Sequence, residues 1–288
     1  MPELPEVETI KNGLKDKIVG RTIKGVEVRV AKIFQGNVKL ISGAKVKSVE
    51  RRAKMLVVGL SNGYSLLVHL KMTGQLVFDS QKGDKSKRVA GGHPSDDWVK
   101  DLPSKFTHMI FNFTDGSVLY FNDLRKFGYI KVYKTDELKG LKVLEDLGPE
   151  PFTMELTVNY LLRAMARRPR LKIKQLLMDQ AVISGVGNIY ADEALFCAGI
   201  LPLRPCREVS KSELGKIIEC IKKVLTTALK YRGSSENAYV DVEGRKGEMQ
   251  KHFQVYQQTG RKCPRCGGVV KRTVVGGRGT HYCPECQT

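Results

Sequence analysis

The sequence predicts an α+β protein built from an N-terminal β-sandwich with a leading helix, a helical domain and a small cysteine-rich module. Three observations support this fold class. Short apolar runs of strand length fill residues 22–133, helical periodicity fills residues 156–230, and two CxxC pairs close the chain. The segment LGPEP at 147–151 separates strands from helices, because its two prolines and one glycine interrupt both kinds of element. A chain of 288 residues has room for two sizeable domains and a small appendix.

A leading helix is predicted from aliphatic residues that recur at helical spacing. Pro5 suits the first turn of a helix, so the helix is expected to begin near this residue. Glu3 and Glu6 would then lie at its N-terminal end, away from the buried stripe. The residues of that stripe are Val7, Ile10, Leu14 and Ile18.

Six runs rich in β-branched and aromatic residues predict the strands of the sandwich. SNG at 61–63 and TDG at 114–116 are typical of hairpin turns. The polar segment between Asp79 and Lys105 has no periodicity and predicts a mobile surface loop. The six runs are TIKGVEVRV, AKMLVVGL, YSLLVHL, HMIFNF, SVLYF and YIKVY.

Positive charge dominates the composition, because the chain has 49 lysines and arginines but only 30 acidic residues, which gives a formal net charge of +19. Such a surface favours a polyanion, with nucleic acid as the first candidate; a soluble protein that is merely basic is the alternative. The charge is concentrated, since RAMARRPRLKIK at 163–174 and the stretch from Arg261 to Arg278 contain no acid. The chain lacks an apolar run of membrane length and a signal-peptide pattern, so we expect neither a membrane protein nor an exported one.

Four of the seven cysteines form two CxxC pairs, CPRC at 263–266 and CPEC at 283–286. They predict one structural Zn²⁺ in a closed tetrahedral site of Cys263, Cys266, Cys283 and Cys286. The alternative of two redox pairs is disfavoured, because neither pair precedes a helix in a βαβ pattern. The hairpin between the pairs carries Arg278 at a glycine-flanked tip.

The other three cysteines are scattered singly, which favours a reducing compartment over a disulfide framework. They are Cys197, Cys206 and Cys220.

The chain start offers a nucleophile. If Met1 is removed, Pro2 presents a secondary α-amine, and α-amines have a reference pKa of about 7.7–8.0. Such an amine attacks an electrophilic carbon and forms an iminium ion without a lysine. Of Glu3 and Glu6, one would serve as general acid or base and the other would position the amine. The alternative is that Pro2 is only a small second residue and that both acids favour the helix N-terminus electrostatically.

Seven motifs, taken together and in order, resemble the bacterial formamidopyrimidine-DNA glycosylases over nearly the whole chain. They are PELPEVETI, RRAKML (51–56), HLKMTGQL (69–76), NDLRKFG (122–128), LGPEP, QLLMDQAVISGVGNIYADEALF (175–196) and the four-cysteine finger. The resemblance implies a catalytic β-sandwich domain at 1–134 and a helix-two-turn-helix DNA-binding domain at 147–232. It also implies a lesion-capping loop and connector at 233–257 and a zinc finger at 258–288.

The resemblance implies catalytic roles as well. Pro2 would attack C1′ of the damaged nucleotide, and Glu3 would be the general acid that assists sugar-ring opening. Glu6 would be a supporting acid. Lys54 would act near the lesion's phosphate in base release and elimination, and Arg278 would contact phosphates and take part in the second elimination.

DNA-binding residues are implied in the same way. Met72, Arg125 and Phe127 would fill the gap left by the extruded nucleotide, since a flexible apolar plug, a hydrogen-bonding cation and an aromatic wedge suit that task. Asn188, in a glycine-rich turn between helices, would contact a phosphate. The other implied DNA contacts are Arg170, Lys174 and Tyr239.

Three features depart from the family pattern. The polar loop at 79–105 is longer than in the family, Phe106 stands where a histidine is often present, and Asn237 stands where relatives often carry a basic residue. These departures bear on lesion preference rather than on the type of reaction.

The implied function is a bifunctional DNA glycosylase and abasic-site lyase of base excision repair. It would remove 8-oxoguanine and formamidopyrimidines from double-stranded DNA and cut the strand by β and δ elimination, as a monomer in the bacterial cytoplasm and nucleoid. One alternative is an endonuclease-VIII-like glycosylase for oxidised pyrimidines; another is a damage-binding protein without catalysis. PELPEV with Arg125 and Phe127 favours the purine enzyme, and Pro2, Glu3 and Lys54 together favour catalysis.

Overall fold

The computed structural model describes residues 2–80, 89–92, 102–235 and 247–288. The chain divides into two compact units, the first from Met1–Leu144 and Tyr231–Gln250, the second from Glu145–Lys230 and Lys251–Thr288. Residues 231–250 therefore belong to the N-terminal unit, although they follow the helices in sequence. Within the described ranges, no helix has the length and apolar character that a membrane crossing requires.

The first unit begins with helix α1 (Leu4–Ile18) and continues into two β-sheets. Across the first sheet the strands are β1 (Ile23–Val28), β8 (Thr107–Phe113), β9 (Val118–Asp123), β6 (Gly74–Asp79) and β7 (Val89–Gly92). Across the second they are β2 (Phe34–Gln35), β10 (Tyr129–Lys134), β5 (Tyr64–His69), β4 (Met55–Leu60) and β3 (Val46–Arg52). The pairs are antiparallel except for β2 with β10, which is parallel.

An apolar core joins both sheets to α1, which confirms the predicted sandwich. The four aliphatic residues of the helical stripe are each at most 2% exposed. They pack with Leu56 and Val68 from one sheet and Phe111 and Phe121 from the other. Both predicted hairpin turns are present, with Gly63 between β4 and β5 at φ +82° and Gly116 between β8 and β9 at φ +85°.

Two expectations for this unit are wrong. Glu3 and Glu6 lie at the helix N-terminus but are buried, each 3% exposed, rather than turned away from the interior. The expected loop at 79–105 contains β7, which pairs with β6 so that Val89 lies opposite Phe78. The glycine-rich strand VAGG carries too few strand-forming side chains to be recognised by pattern. The rest of that expectation, at 81–88 and 93–101, lies outside the described residues.

The second unit is mainly helical and ends in a β-hairpin. A short helix α2 (Lys142–Glu145), most of which belongs to the first unit, precedes LGPEP. The helices that follow are α3 (Val158–Ala166), α4 (Ile173–Met178), α5 (Asn188–Ala198) and α6 (Lys211–Lys230). The hairpin pairs β11 (Lys271–Val275) with β12 (Arg278–Tyr282). Its turn residues Gly276 and Gly277 have φ of +57° and +74°, the left-handed conformation that a two-residue hairpin turn requires.

Short 3-10 helices complete the secondary structure of the described ranges. They are Ala31–Ile33, Val38–Leu40, Asp136–Gly140, Cys206–Glu208 and Met249–His252.

The scattered cysteines do not all remain thiols, although their placement favoured a reducing compartment over a disulfide framework. Cys197 at the end of α5 forms a disulfide with Cys220 on α6, with the Cα atoms 5.7 Å apart. Both half-cystines are half-buried. Cys206 is a buried thiol, and burial raises its pKa to about 11, so it is chemically inert.

Reducing the Cys197–Cys220 bond is expected to destabilise the helical unit by about 3 kcal/mol, because the bond closes a loop with a sequence separation of 23 residues. Urea unfolding with and without dithiothreitol measures the loss. The double variant Cys197→Ser/Cys220→Ser should match the reduced protein and no longer respond to the reductant. A thiol titration that finds seven reactive cysteines in the unfolded, unreduced chain would contradict the bond.

Candidate functional site

The N-terminal turn of α1 gathers Pro2, Glu3 and Glu6 in a buried position. Glu3 is the N-cap residue, with extended backbone angles of φ −99° and ψ −169°. The backbone N–H of Glu3 donates to Glu6 Oε2 at 2.8 Å, the reciprocal half of a capping box. The backbone N–H of Ser234 donates to Glu6 Oε1 at 2.8 Å. Sequence reasoning placed both acids beside Pro2 but gave no sign of Ser234, which lies 228 positions away.

Lys54 lies in the turn between β3 and β4 and is 6% exposed. The residue before it, Ala53, has φ +53°, so the turn is tight. Arg51 links this turn to α1, because its Nε donates to Glu8 at 2.6 Å and its Nη1 donates to the Ala53 carbonyl at 3.0 Å. Helix α1, which follows Pro2 closely in sequence, is therefore connected through Arg51 to the turn that carries Lys54.

The Arg51–Glu8 link has an acid dependence. Burial raises the pKa of Glu8, but hydrogen bonds from Lys11 and Arg51 outweigh burial and hold it below its usual 4.5. The link should thus stabilise the fold above pH 4.5 and fade as pH falls through the depressed pKa. We expect Glu8→Gln to lower the urea midpoint at pH 7 and to have a smaller effect at pH 3, below the usual pKa of a glutamate. Asp16→Asn, at an exposed acid of the same helix, should change neither midpoint; equal losses at both pH values for Glu8→Gln would contradict this origin.

His69 is a candidate residue that the sequence reasoning missed. Burial lowers the pKa of His69 to about 3, with smaller contributions from the positive charges of Lys71 and Lys54. Its Nδ1 accepts the backbone N–H of Lys71 at 3.0 Å, which leaves the proton of the neutral ring on Nε2. The signal was the single histidine at the next-to-last position of the apolar run YSLLVHL.

Met72, Arg125 and Phe127, predicted to act together, lie together in the structure. Arg125 Nη1 donates to Met72 Sδ at 3.0 Å, and the guanidinium carbon lies 4.9 Å from the centre of the Phe127 ring. Met72 is 39% exposed and Phe127 is 55% exposed, so two apolar side chains protrude beside a cation. An exposed group of this composition suits base stacking rather than core packing.

Asp123 organises the turn that carries Arg125 and Phe127, and it was also missed. It is 1% exposed, and its carboxylate accepts the backbone N–H groups of Arg125 at 3.1 Å and Gly128 at 2.7 Å. Thr73, next to Met72, donates its hydroxyl to the same carboxylate. One buried acid therefore holds both loops of the exposed group.

In the second unit Lys174 is fully buried, at 0% exposure. Its ammonium group contacts Asp192 at 2.7 Å, the Gly279 carbonyl at 3.0 Å and the Thr280 hydroxyl at 2.8 Å. The expected direct DNA contact is incompatible with this position, because the ammonium has no exposed surface. Lys174 instead fastens β12 to the helices. Sequence alone did not reveal this, since Lys174 ends a basic stretch whose other members are mostly exposed.

Asp192 extends this buried network to His281. Its Oδ2 accepts the His281 backbone N–H at 2.9 Å and lies 3.3 Å from His281 Nδ1. His281 thus packs into the helices and is not needed as a metal ligand. Asn188, the first residue of α5, donates from Nδ2 to the Gly279 carbonyl at 3.1 Å. Asn188 is half-buried, while Arg170 and Arg278 are exposed, so these three retain surface for an anion.

The four paired cysteines converge, as the spacing predicted. Their Sγ atoms all lie within 4.8 Å of one another. The Cys263–Cys286 distance is 3.7 Å and the Cys266–Cys283 distance is 3.4 Å. Tetrahedral zinc with Zn–S bonds of about 2.3 Å separates its sulfurs by about 3.8 Å, so the donor set and its spacing fit Zn²⁺.

Tyr239 and Asn237 lie outside the described residues, as does Met1.

Known protein families match the chain in three consecutive stretches. Residues 1–130 match the formamidopyrimidine-DNA glycosylase N-terminal domain, and residues 147–239 match the formamidopyrimidine-DNA glycosylase H2TH domain. Residues 260–288 match the zinc finger found in FPG and IleRS. With the geometry above, these matches define a helix-two-turn-helix protein that carries a structural zinc ion in its four-cysteine finger.

Full-length relatives show which family within this class of protein the chain belongs to. The formamidopyrimidine-DNA glycosylase of Pelotomaculum thermopropionicum is 40% identical over 292 residues, covering 100% of this chain and 99% of the relative. That of Bacillus cereus is 37% identical over 293 residues with the same coverage. A Lactococcus lactis FPG mutant in complex with DNA containing Fapy-dG has a TM-score of 0.86 and 31% identity, covering 100% of both chains. The chain belongs to the formamidopyrimidine-DNA glycosylase family.

Proposed function

We propose that this protein is a bifunctional DNA glycosylase and abasic-site lyase that removes oxidised purines from double-stranded DNA. The observation that carries the proposal is the N-terminal turn, where Pro2 precedes two buried carboxylates and α1 is fastened to the Lys54 turn. Relatives of the same length are named formamidopyrimidine-DNA glycosylases, and a similar Lactococcus lactis protein was solved with DNA containing an abasic site.

The proposed chemistry starts once Met1 is removed. The Pro2 amine attacks C1′, the N-glycosidic bond breaks, and the base leaves with a proton. Glu3 protonates O4′ as the sugar ring opens, which leaves an iminium ion between the Pro2 nitrogen and C1′. Loss of a C2′ proton then expels the 3′ phosphate, and a second elimination expels the 5′ phosphate. We assign Lys54 to the lesion's phosphate in these steps and Arg278 to the phosphates in the second.

The DNA contacts belong to the same proposal. Met72, Arg125 and Phe127 would occupy the gap left by the extruded nucleotide, supported by their exposure and mutual contacts. Phosphate contacts are proposed for Asn188 and Arg170, and a DNA contact for Tyr239.

We further propose that the domains divide as 1–134, 147–232, 233–257 and 258–288, and that the protein acts as a monomer in the bacterial nucleoid. Light scattering on the free protein and its DNA complex tests the monomer.

Borohydride trapping tests the reaction. A duplex with 8-oxoguanine opposite cytosine should yield a covalent adduct, because borohydride reduces the iminium ion to a stable amine. A thymine glycol duplex serves as the comparison. An adduct on the thymine glycol duplex alone would favour an oxidised-pyrimidine glycosylase, and adducts on neither, despite tight binding, would favour a damage-binding protein.

Phe127→Ala should weaken binding to a duplex containing an uncleavable abasic analogue by about 1–3 kcal/mol, roughly 5- to 150-fold, because an aromatic stacking surface is lost. Its stability should change by less than about 0.5 kcal/mol, since the ring is 55% exposed. Fluorescence anisotropy at fixed salt measures the affinity. The matched control is Phe152→Ala, at another exposed phenylalanine, with 45% exposure. Equal losses in both variants would contradict the assigned role.

A further inference from the structure

We propose that Glu6 is a positioning residue that fixes the Glu3 backbone, and through it the Pro2 amine, rather than an acid that exchanges a proton with the substrate. The inference rests on the proposed function, because it concerns the same nucleophile. Glu6 is 3% exposed, and its two carboxylate oxygens accept different backbone N–H groups, those of Glu3 and Ser234, each at 2.8 Å. A carboxylate committed in this way is poorly placed to transfer protons.

The Glu3 backbone is held on both sides. Its N–H donates to Glu6, and its carbonyl accepts the Val7 N–H at 3.0 Å, the first bond of α1. The Glu3 N–H lies in the plane of the Pro2–Glu3 peptide bond, because that bond is planar. Fixing the N–H therefore fixes the plane from which the Pro2 ring and its amine project. Without it, the residue before a helix keeps free rotation that the reaction would have to restrict.

Glu6 is itself held from the far side by Gly233 and Ser234. Gly233 has φ +75°, and a Cβ there would lie 2.6 Å from Glu6 Oε1 and 2.9 Å from its Cγ. Glycine thus lets the backbone approach close enough for the Ser234 N–H to reach the carboxylate. The path of contacts runs from Ser234 through Glu6 to the Glu3 N–H, all within the first unit.

Two variants disturb this path in chemically different ways. Glu6→Gln keeps the shape, but its single oxygen satisfies one N–H and its NH₂ faces the other. Gly233→Ala keeps the Glu6 charge and pushes the carboxylate away from its partners. Asp16→Asn is the control for Glu6→Gln, because it also removes a carboxylate from α1 but at an exposed position. Gly20→Ala is the control for Gly233→Ala. Gly20 also has a positive φ, +89°, but a Cβ added there would have no heavy atom within 4 Å.

The measurement is the single-turnover rate of borohydride-trapped adduct formation on abasic-site DNA, as a function of pH. We expect both test variants to react about 10²-fold more slowly, as for a misplaced reacting group. Affinity for an uncleavable abasic analogue should stay within about threefold, and the shape of the pH–rate profile should not change. Both controls should react like the wild type.

Wild-type rates in Glu6→Gln and Gly233→Ala would overturn the inference. So would a Glu6→Gln profile that loses one limb while Gly233→Ala reacts normally, because that result identifies Glu6 as a proton-transfer group. Should Glu6→Gln fail to fold in a thermal melt, Gly233→Ala decides alone. A wild-type protein that forms no adduct would instead refute the proposed function, so the two failures are distinguishable.

Discussion

A chain that keeps any residue ahead of Pro2 is expected to form no trapped adduct with abasic-site DNA, with a rate at least about 10³-fold below that of the processed chain. The extra residue turns the Pro2 nitrogen into an amide, whose lone pair is delocalised into the carbonyl and is no longer nucleophilic. A processed α-amine is substantially unprotonated near neutral pH. The comparison needs two preparations, one with Met1 removed and one with a glycine left before Pro2 by a protease, each verified by intact mass.

The matched variant for this experiment is Pro2→Gly with Met1 removed, because it restores a free α-amine without the proline ring. It should still form an adduct on abasic-site DNA. Affinity for an uncleavable analogue, measured on all three preparations, separates chemistry from binding. An adduct in the blocked chain would assign the nucleophile either to the α-amine of the added glycine or to a lysine, and peptide mapping of the adduct would distinguish the two.

Cys266→Ser is expected to release the zinc ion and to weaken binding to damaged DNA by at least about tenfold. Structural zinc contributes about 10–16 kcal/mol to the folding of a small finger, so three remaining thiolates cannot hold the hairpin in place. Arg278, exposed on β12, would lose its fixed position. Cys266 is the ligand to change because it is exposed, so the substitution costs little packing.

Zinc content by mass spectrometry and affinity by anisotropy are measured on the same sample. The control is Pro264→Ser, an exposed residue of the same CxxC pair that is not a ligand; it should keep one zinc ion and wild-type affinity. The sandwich unit should stay folded in both variants. Unchanged affinity after proven zinc loss would refute the role given to the finger.

The sequence predicted those parts of the fold whose signals are local. Helix α1 follows from four aliphatic residues at helical spacing, the hairpin turns from SNG and TDG, and the zinc site from two CxxC pairs. Strand β7 was not predicted, because the sequence VAGG has few strand-forming residues; its pairing with β6 is visible only in the structure. The Cys197–Cys220 disulfide was not predicted, because it depends on how α5 packs against α6, which the spacing of the cysteines along the chain does not reveal.

The candidate site also combines features that the sequence predicted with features that only the folded structure reveals. The resemblance named the residues, but the environments that decide their roles come from distant parts of the chain. Lys174 looked like a DNA contact in a basic stretch, and its pairing with Asp192 makes it a buried structural ion pair. Asp123 and Ser234 had no motif of their own and became visible only through the loops and backbone groups that they hold.

The Lys174–Asp192–His281 network limits how freely this finger can be exchanged. Lys174 and Asp192 belong to the helices, whereas Thr280 and His281 belong to β12, and all four are buried. A chimaera that grafts residues 258–288 from another protein onto these helices would keep the Lys174–Asp192 ion pair. It would lose the hydrogen bonds with the Gly279 carbonyl, the Thr280 hydroxyl and the His281 N–H wherever the new hairpin lacks matching groups, and buried polar groups left without partners are destabilising. The unit that can be transplanted intact therefore includes α4 and α5 with the hairpin, so the modular boundary of this protein lies well before its first zinc ligand.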